Sequence, residues 1–238
     1  MYEAAYVYPD GDSTTARFAH AAGAAGYDGV VVRAVDGAGR RSAGGPAYDA
    51  VRDAAGVDVV DGAEVVAPDP EHASGAIGNL RPKHTLLLVR GGTDRLNRFA
   101  VEQERVDVLA RPMADDGDFN HVLAKTATRN AVHVEFDFGP VLRSEGGHRV
   151  RVLQRLRKLR KLVEKYDTPY VVSATPDVHL RLRAPREMKA LGEQVGFTGD
   201  WIEQGLEAWG ELAARNRRRR SESFIEPGVE RGRYEKDD

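Results

Sequence analysis

His133, Glu135 and Asp137 stand at alternate positions of the segment AVHVEFDF, residues 131–138. In a strand, side chains two apart share a face, so an imidazole and two carboxylates would point the same way. If that face lines a barrel mouth, the three offer nitrogen and oxygen to a hard or borderline divalent cation. The competing reading is a polar lining neutralised by arginines such as Arg33 or Arg90. No HExxH or HxH motif accompanies the trio, and further ligands would have to come from unrelated strands. Other catalytic signatures are missing too: there is no P-loop and no GxSxG elbow. Ser173, at a strand end, reads as a turn hydroxyl or a phosphate contact. Gly91-Gly92, after an apolar run, reads as a tight turn, with an anion site at the following helix start as the alternative.

The stronger chemical signal is cationic. Residues 148–166 (HRVRVLQRLRKLRKLVEKY) hold eight Arg or Lys against one acid, Glu164. Val152, Leu153, Leu156, Leu159, Leu162 and Val163 fall at helical spacing, which leaves Arg155, Arg157, Lys158, Arg160 and Lys161 off the apolar stripe. Such a helix suits a polyanion such as RNA; the plainer alternative is a solvated amphipathic helix. A second group, Arg181, Arg183 and Arg186, surrounds Pro185, which opens a helix at its first turn. Guanidinium groups beside a helix N-terminus favour phosphate through charge and free backbone N–H groups together. Arg217–Arg220 end the last long helix, where the macrodipole alone favours cations.

The elements that must position these groups alternate regularly. The 238-residue chain is 41% apolar, enough for a core, and lacks cysteine, so disulfides and thiolate metal sites are excluded. It shows no signal-type start and no apolar run long enough to span a bilayer, so no membrane partner is expected and a cytoplasmic location is. Charge is uneven beneath a net −2: residues 1–140 hold 14 basic and 21 acidic groups, residues 141–220 hold 18 and 10, and residues 221–238 hold 3 and 6. With 28 Arg and 7 Lys, the cations are mostly of the type that binds phosphate with two bonds.

Apolar strand-like runs recur at 3–8, 28–33, 57–66, 83–90, 106–109, 131–138 and 168–173. Helical patterns fall between them, at 46–55, after Thr93, at 119–128, in the basic segment, at 185–194 and at 200–219. The first of the chain's helices runs to about Ala25 with Asp12 or Ser13 as its cap. This order predicts an α/β fold with a parallel sheet, and so many units in about 215 residues fit a (β/α) TIM-like barrel. Residues 1–215 are expected to form one domain, and the charged segment 221–238 to be disordered.

Several blocks together resemble archaeal ribonuclease P protein component 3, the counterpart of the thirty-kilodalton eukaryotic subunit. They are the opening YEAAYVYPDGDSTTARFAHAAGAAGYDGVVVR, the stretch TLLLVRGGTDRLNRFAVEQERVDVLARP, AVHVEFDFGPVLR before the basic helix, and PYVVSATPDVHLRLRAPREMKALGEQVGF. The resemblance spans roughly residues 1–215. It implies a barrel related to PHP-type metal-dependent phosphoesterases and a role as a protein subunit of ribonuclease P, which removes the 5′ leader of precursor tRNA. It further implies an RNA catalyst carrying the Mg²⁺, no cofactor held by this chain, and partnership with ribonuclease P RNA, precursor tRNA and other protein subunits. PHP barrels open with His-x-His as metal ligands; here those places read Tyr6-Val7-Tyr8, which argues against catalysis by this chain alone. The alternative remains a free-standing phosphoesterase using His133, Glu135 and Asp137, with a residual cation site at Asp10 and His133 also open. A third is a small-molecule barrel enzyme with phosphate near Gly91-Gly92.

Overall fold

A computed structural model describes residues 1–36, 46–221, 224–226 and 229–230. Seven parallel strands pair in chain order: β1 Tyr2–Tyr6, β2 Gly29–Val35, β3 Asp58–Val65, β4 Leu86–Arg90, β5 Val108–Ala110, β6 His133–Asp137 and β7 Tyr170–Ser173. Between them run α1 Thr15–Ala25, α2 Pro46–Ala55, α3 Pro70–Leu80, α4 Asp94–Glu102, α5 His121–Asn130, then α6 Gly139–Arg143 with α7 Gly146–Tyr166. After β7 come α8 Pro185–Val195 and α9 Gly199–Arg219. Parallel strands need crossovers, and helices on the outside cover the sheet, so the strands are apolar nearly throughout.

The sheet closes without a direct β1–β7 ladder. Tyr6 N donates to Pro176 O at 3.0 Å, and Ala174 N donates to the Glu3 carboxylate at 3.0 Å. α9 supplies the rest of the closure. Its Trp209 is fully buried, and its indole N–H donates to Val172 O at 2.9 Å. Trp209, Leu212 and Ala213 pack with the inward side chains Val31, Val60, Leu88, Val108 and Val171. The barrel is thus a filled core, with α9 plugging the end at which the strands begin. Glycines permit that approach: a Cβ on Gly205 would lie 2.4 Å from Val172 Cγ2.

Local chemistry sets the helix limits. α1 is capped by Thr14, whose hydroxyl accepts from Arg17 N, and not by Asp12 or Ser13; Ser13 instead holds His179 Nδ1 at 2.8 Å. α3 buries the short stripe Ala73, Ile77 and Leu80; Asp69 caps it and Pro70 occupies its first turn. The stretch 57–66 is a single long strand, because Gly62 sits within the ladder opposite Arg33 instead of turning the chain. The glycine-rich stretch 37–45 and most of the segment 221–238, for which the sequence predicts disorder, lie outside the described residues. Within the latter, Phe224–Glu226 pairs antiparallel with Val229–Glu230.

Candidate nucleic-acid interface

The inward positions of β1–β4, β6 and β7 stack a polar layer above the apolar one. Arg33, with no exposed surface, lies at its centre and bridges Glu64 at 3.0 Å and Glu135 at 2.5 Å. Arg90 holds the other oxygen of Glu64 at 2.7 Å; the Tyr6 hydroxyl donates to Glu64 at 2.8 Å and the Ser173 hydroxyl to Glu135 at 2.9 Å. Burial favours the neutral form of the Arg33 guanidinium, but Glu135 and Glu64 outweigh it and keep the group charged. Burial likewise raises Glu64, yet Arg33 and Arg90 bring its carboxyl below the ordinary range. Two carboxylates with two guanidinium groups and two hydroxyls satisfy one another, as a buried ionic cluster requires. Arg33 and Arg90 are thus the neutralising partners of the alternating acids. Ser173 is an internal donor, neither a turn hydroxyl nor a phosphate contact.

His133, Glu135 and Asp137 share a strand face, as their spacing requires, but occupy three levels of the barrel. His133 lies at the floor, where burial and then Arg215 push its imidazole down to about 4. Glu135 belongs to the Arg33 cluster. Asp137 reaches the opposite mouth, where it accepts from Gly139 N and the Thr175 hydroxyl, both at 2.8 Å. At about 3.3 Å per residue, the ends of this trio stand roughly 13 Å apart, too far to share one ion. Among the described residues no group of three His, Asp or Glu side chains converges as a metal site. Asp10, which accepts from Val35 N at 3.0 Å, sits at the mouth, so it and His133 are at opposite ends as well. The Gly91-Gly92 amides are also committed, to Ala110 O at 2.8 Å and Asn97 Oδ1 at 3.2 Å. That loop is a turn with Gly92 at φ +99°, not an anion cradle.

The cations lie outside. α7 buries Leu156, Leu159 and Val163 against the barrel and turns its other faces outward. Four of the five cations singled out there also have internal partners. Arg155 donates to Asp115 O at 2.9 Å, and Lys158 pairs with Asp118 at 2.6 Å, which ties α7 to the loop after β5. Arg157 donates to Val195 O at 2.9 Å. Arg160 donates to Gly196 O, pairs with Glu164 at 2.6 Å and lies over the Phe197 ring. These two arginines satisfy carbonyls at the C-terminus of α8 and fix α7 beside it. Lys161 is exposed, with no side-chain hydrogen bond or ion pair among the described residues, and so is Arg151.

At the other end of α8, Arg181 pairs with Asp177 at 2.8 Å. The Arg183 and Arg186 side chains are exposed without such partners among the described residues. Only the backbone of Arg183 is engaged, accepting from Tyr27 Oη at 2.8 Å. An exposed Arg183 does not reach Glu135, which Arg33 already holds. Because Arg157 and Arg160 bind α8, the two cationic groups belong to one continuous wall of helices. The pattern also hid a third set: Arg90, Arg111 and Arg143 surround a mouth cleft of about 380 Å³ with Asp10, Asp137 and Asp177. Their one sequence signal is position, each lying at or beyond a strand's C-terminal end.

A barrel with a self-neutralised interior and a cationic outer wall defines a binding scaffold. A sequence model of the family described as RNase P subunit p30 matches residues 1–221, and the chain belongs to that family. It is 59% identical to "Ribonuclease P protein component 3" of Halorubrum lacusprofundi, with all of both chains covered. It is 57% identical to the protein of the same name from Haloarcula marismortui, over 96% of each chain. In fold it is similar to a chain of a cryo-EM structure of archaeal ribonuclease P with mature tRNA: the TM-score is 0.85, at 21% identity over all of both chains. It is less similar to the histidinol phosphate phosphatase of Lactococcus lactis, at TM-score 0.57 and 8% identity, covering 82% of this chain and 94% of that one.

Proposed function

We propose that this chain is the RNA-binding component 3 subunit of ribonuclease P. In this role it supports the catalytic RNA in removing the 5′ leader of precursor tRNA, alongside the enzyme's other protein subunits in the cytoplasm. The observation that carries the reading is α7: its apolar stripe is spent on the barrel, while Arg155, Lys158 and Lys161 remain exposed on its other faces, and Arg183 and Arg186 are exposed at the start of α8. Neutralising phosphates there releases counterions and lowers the repulsion that opposes a compact RNA. Recognition is of backbone and shape, since the aromatic rings Phe197 and Trp201 pack edge-to-face against Phe136 inside the fold and form no platform for bases. Mg²⁺ and the cleavage step belong to the RNA in this reading. The chain's own imidazole and carboxylates stand at separate levels, and the central acids are neutralised by arginine.

The test is reconstitution of precursor-tRNA cleavage with and without the chain, and with Arg155, Lys158 and Lys161 all changed to Ala. Wild type should stimulate cleavage at moderate Mg²⁺. The triple variant should stimulate less and bind RNA with a salt slope lower by about 2, at ~0.7–0.9 for each phosphate no longer neutralised. Chelator-sensitive cleavage by the RNA-free chain, abolished by His133→Ala, would return the phosphoesterase reading.

A further inference from the structure

Arg217–Arg220 close α9 where it reaches the barrel floor, the end opposite the mouth. A helix C-terminus favours cations only weakly, and the effect is confined to the last turn. Arg217 and Arg220 have structural work. Arg217 grips Asp58 with bonds of 2.7 and 2.9 Å, and Arg220 donates to Pro82 O at 2.9 Å. On the same floor, Arg81 and Arg215 share one carboxylate, Asp107, at 2.5 and 3.1 Å. Asp58 and Asp107 are therefore both committed to these arginines.

Crowding of like charge is visible at Arg215. Burial lowers its hold on the proton, Asp107 opposes that, and Arg219 and Arg81 lower it again. Around this knot Arg219, Arg105 and Lys83 face solvent. Arg219 is exposed, and so is Arg105, whose carbonyl accepts from Arg81 at 3.4 Å. Neither side chain has a hydrogen bond or ion pair among the described residues. Lys83, next to Pro82, meets only the Asn79 amide oxygen at 2.6 Å. The large apolar side chains exposed among the described residues are Tyr8, Val66, Val122, Val150 and Leu180, all at the mouth end of the barrel. The floor therefore lacks the apolar anchors on which protein interfaces are built. Separated cations on a polar surface match a chain of phosphodiesters instead.

We propose that the barrel floor, through Lys83, Arg105 and Arg219, is a second RNA-backbone contact, independent of the α7–α8 wall. This rests on the ribonuclease P reading above. The experiment measures binding of the full chain, with the other protein subunits present, to a ribonuclease P RNA transcript across a salt series. Changing Lys83, Arg105 and Arg219 to Ala should lower the salt slope by about 2 and leave the melting temperature near wild type. The loss should add to that of the α7 triple variant. If wild type binds and the slope is unchanged, the floor contact is overturned; if the variant instead loses a protein subunit from the assembly, it is overturned in favour of a protein surface. If wild type itself does not bind, the contact and the functional reading fall together. Should the triple variant unfold, Lys83→Gln with Arg219→Gln is judged by the same slope.

Discussion

Arg33 and Lys161 carry the same charge and do opposite work. Arg33 is sealed inside the barrel, and its field is consumed by Glu64 and Glu135 within 3.0 Å. Lys161 stands on the outer face of α7 with its field open to solvent. The difference teaches that the location of a cation, more than its type, decides whether it specifies the fold or recognises a ligand. A buried charge must be matched by the protein, since an unmatched one costs several kcal/mol, whereas an exposed one is matched by water and counterions that a polyanion can displace. Arg160 lies between these limits: it is partly exposed, yet it holds Gly196 O and Phe197.

The comparison breaks most sharply at its buried end. Arg33→Met should cost about 3–5 kcal/mol in denaturant unfolding, because Glu64 and Glu135 are left buried without their shared partner. Adding Glu135→Gln to it should recover part of the loss; a single variant as stable as wild type would show that the cluster is not required.

Next in size is Glu3, fully buried and pushed up to about 8 chiefly by burial, against the pull of the Ala174 and Ala4 amides. Between pH 4.5 and about 8 the folded chain keeps a proton that the unfolded chain releases, so stability falls as pH rises through that window. Glu3→Gln keeps an oxygen for those amides and should flatten the fall. A variant whose stability–pH curve matches wild type would rule Glu3 out as its source.

The smallest effects separate neighbours on α7. Arg160→Ala should cost about 1 kcal/mol of stability, the worth of one hydrogen bond, with little change in RNA affinity. Lys161→Ala should leave the melting temperature alone and lower the salt slope by about 1. Exchanged outcomes would reverse the assignment of inner and outer roles on this helix.

The order of strands and helices was legible because its periodicities are local: two for β6, near 3.6 for α7, with Thr93 marking a helix start. α3 escaped although Ala73, Ile77 and Leu80 stand at helical spacing, because its exposed face carries Gly75 and Gly78, poor helix formers that blur the pattern. The five α7 cations and the three around Pro185 were visible as charge, but which of them bind internal carbonyls was not. Arg157 and Arg160 meet α8 only after β7 has returned the chain, residues 195 and 196 lying far along the sequence.

By itself the sequence determined a barrel-forming alternation and a cationic helix with one apolar stripe. These follow from short-range spacing and residue chemistry. Only the tertiary structure decided that Arg33 meets Glu135, 102 positions away, that His133, Glu135 and Asp137 fall at three depths, and that Trp209 plugs the floor. Strand tilt, barrel closure and the depth of each layer arise from packing among segments distant in sequence, and no local pattern encodes them.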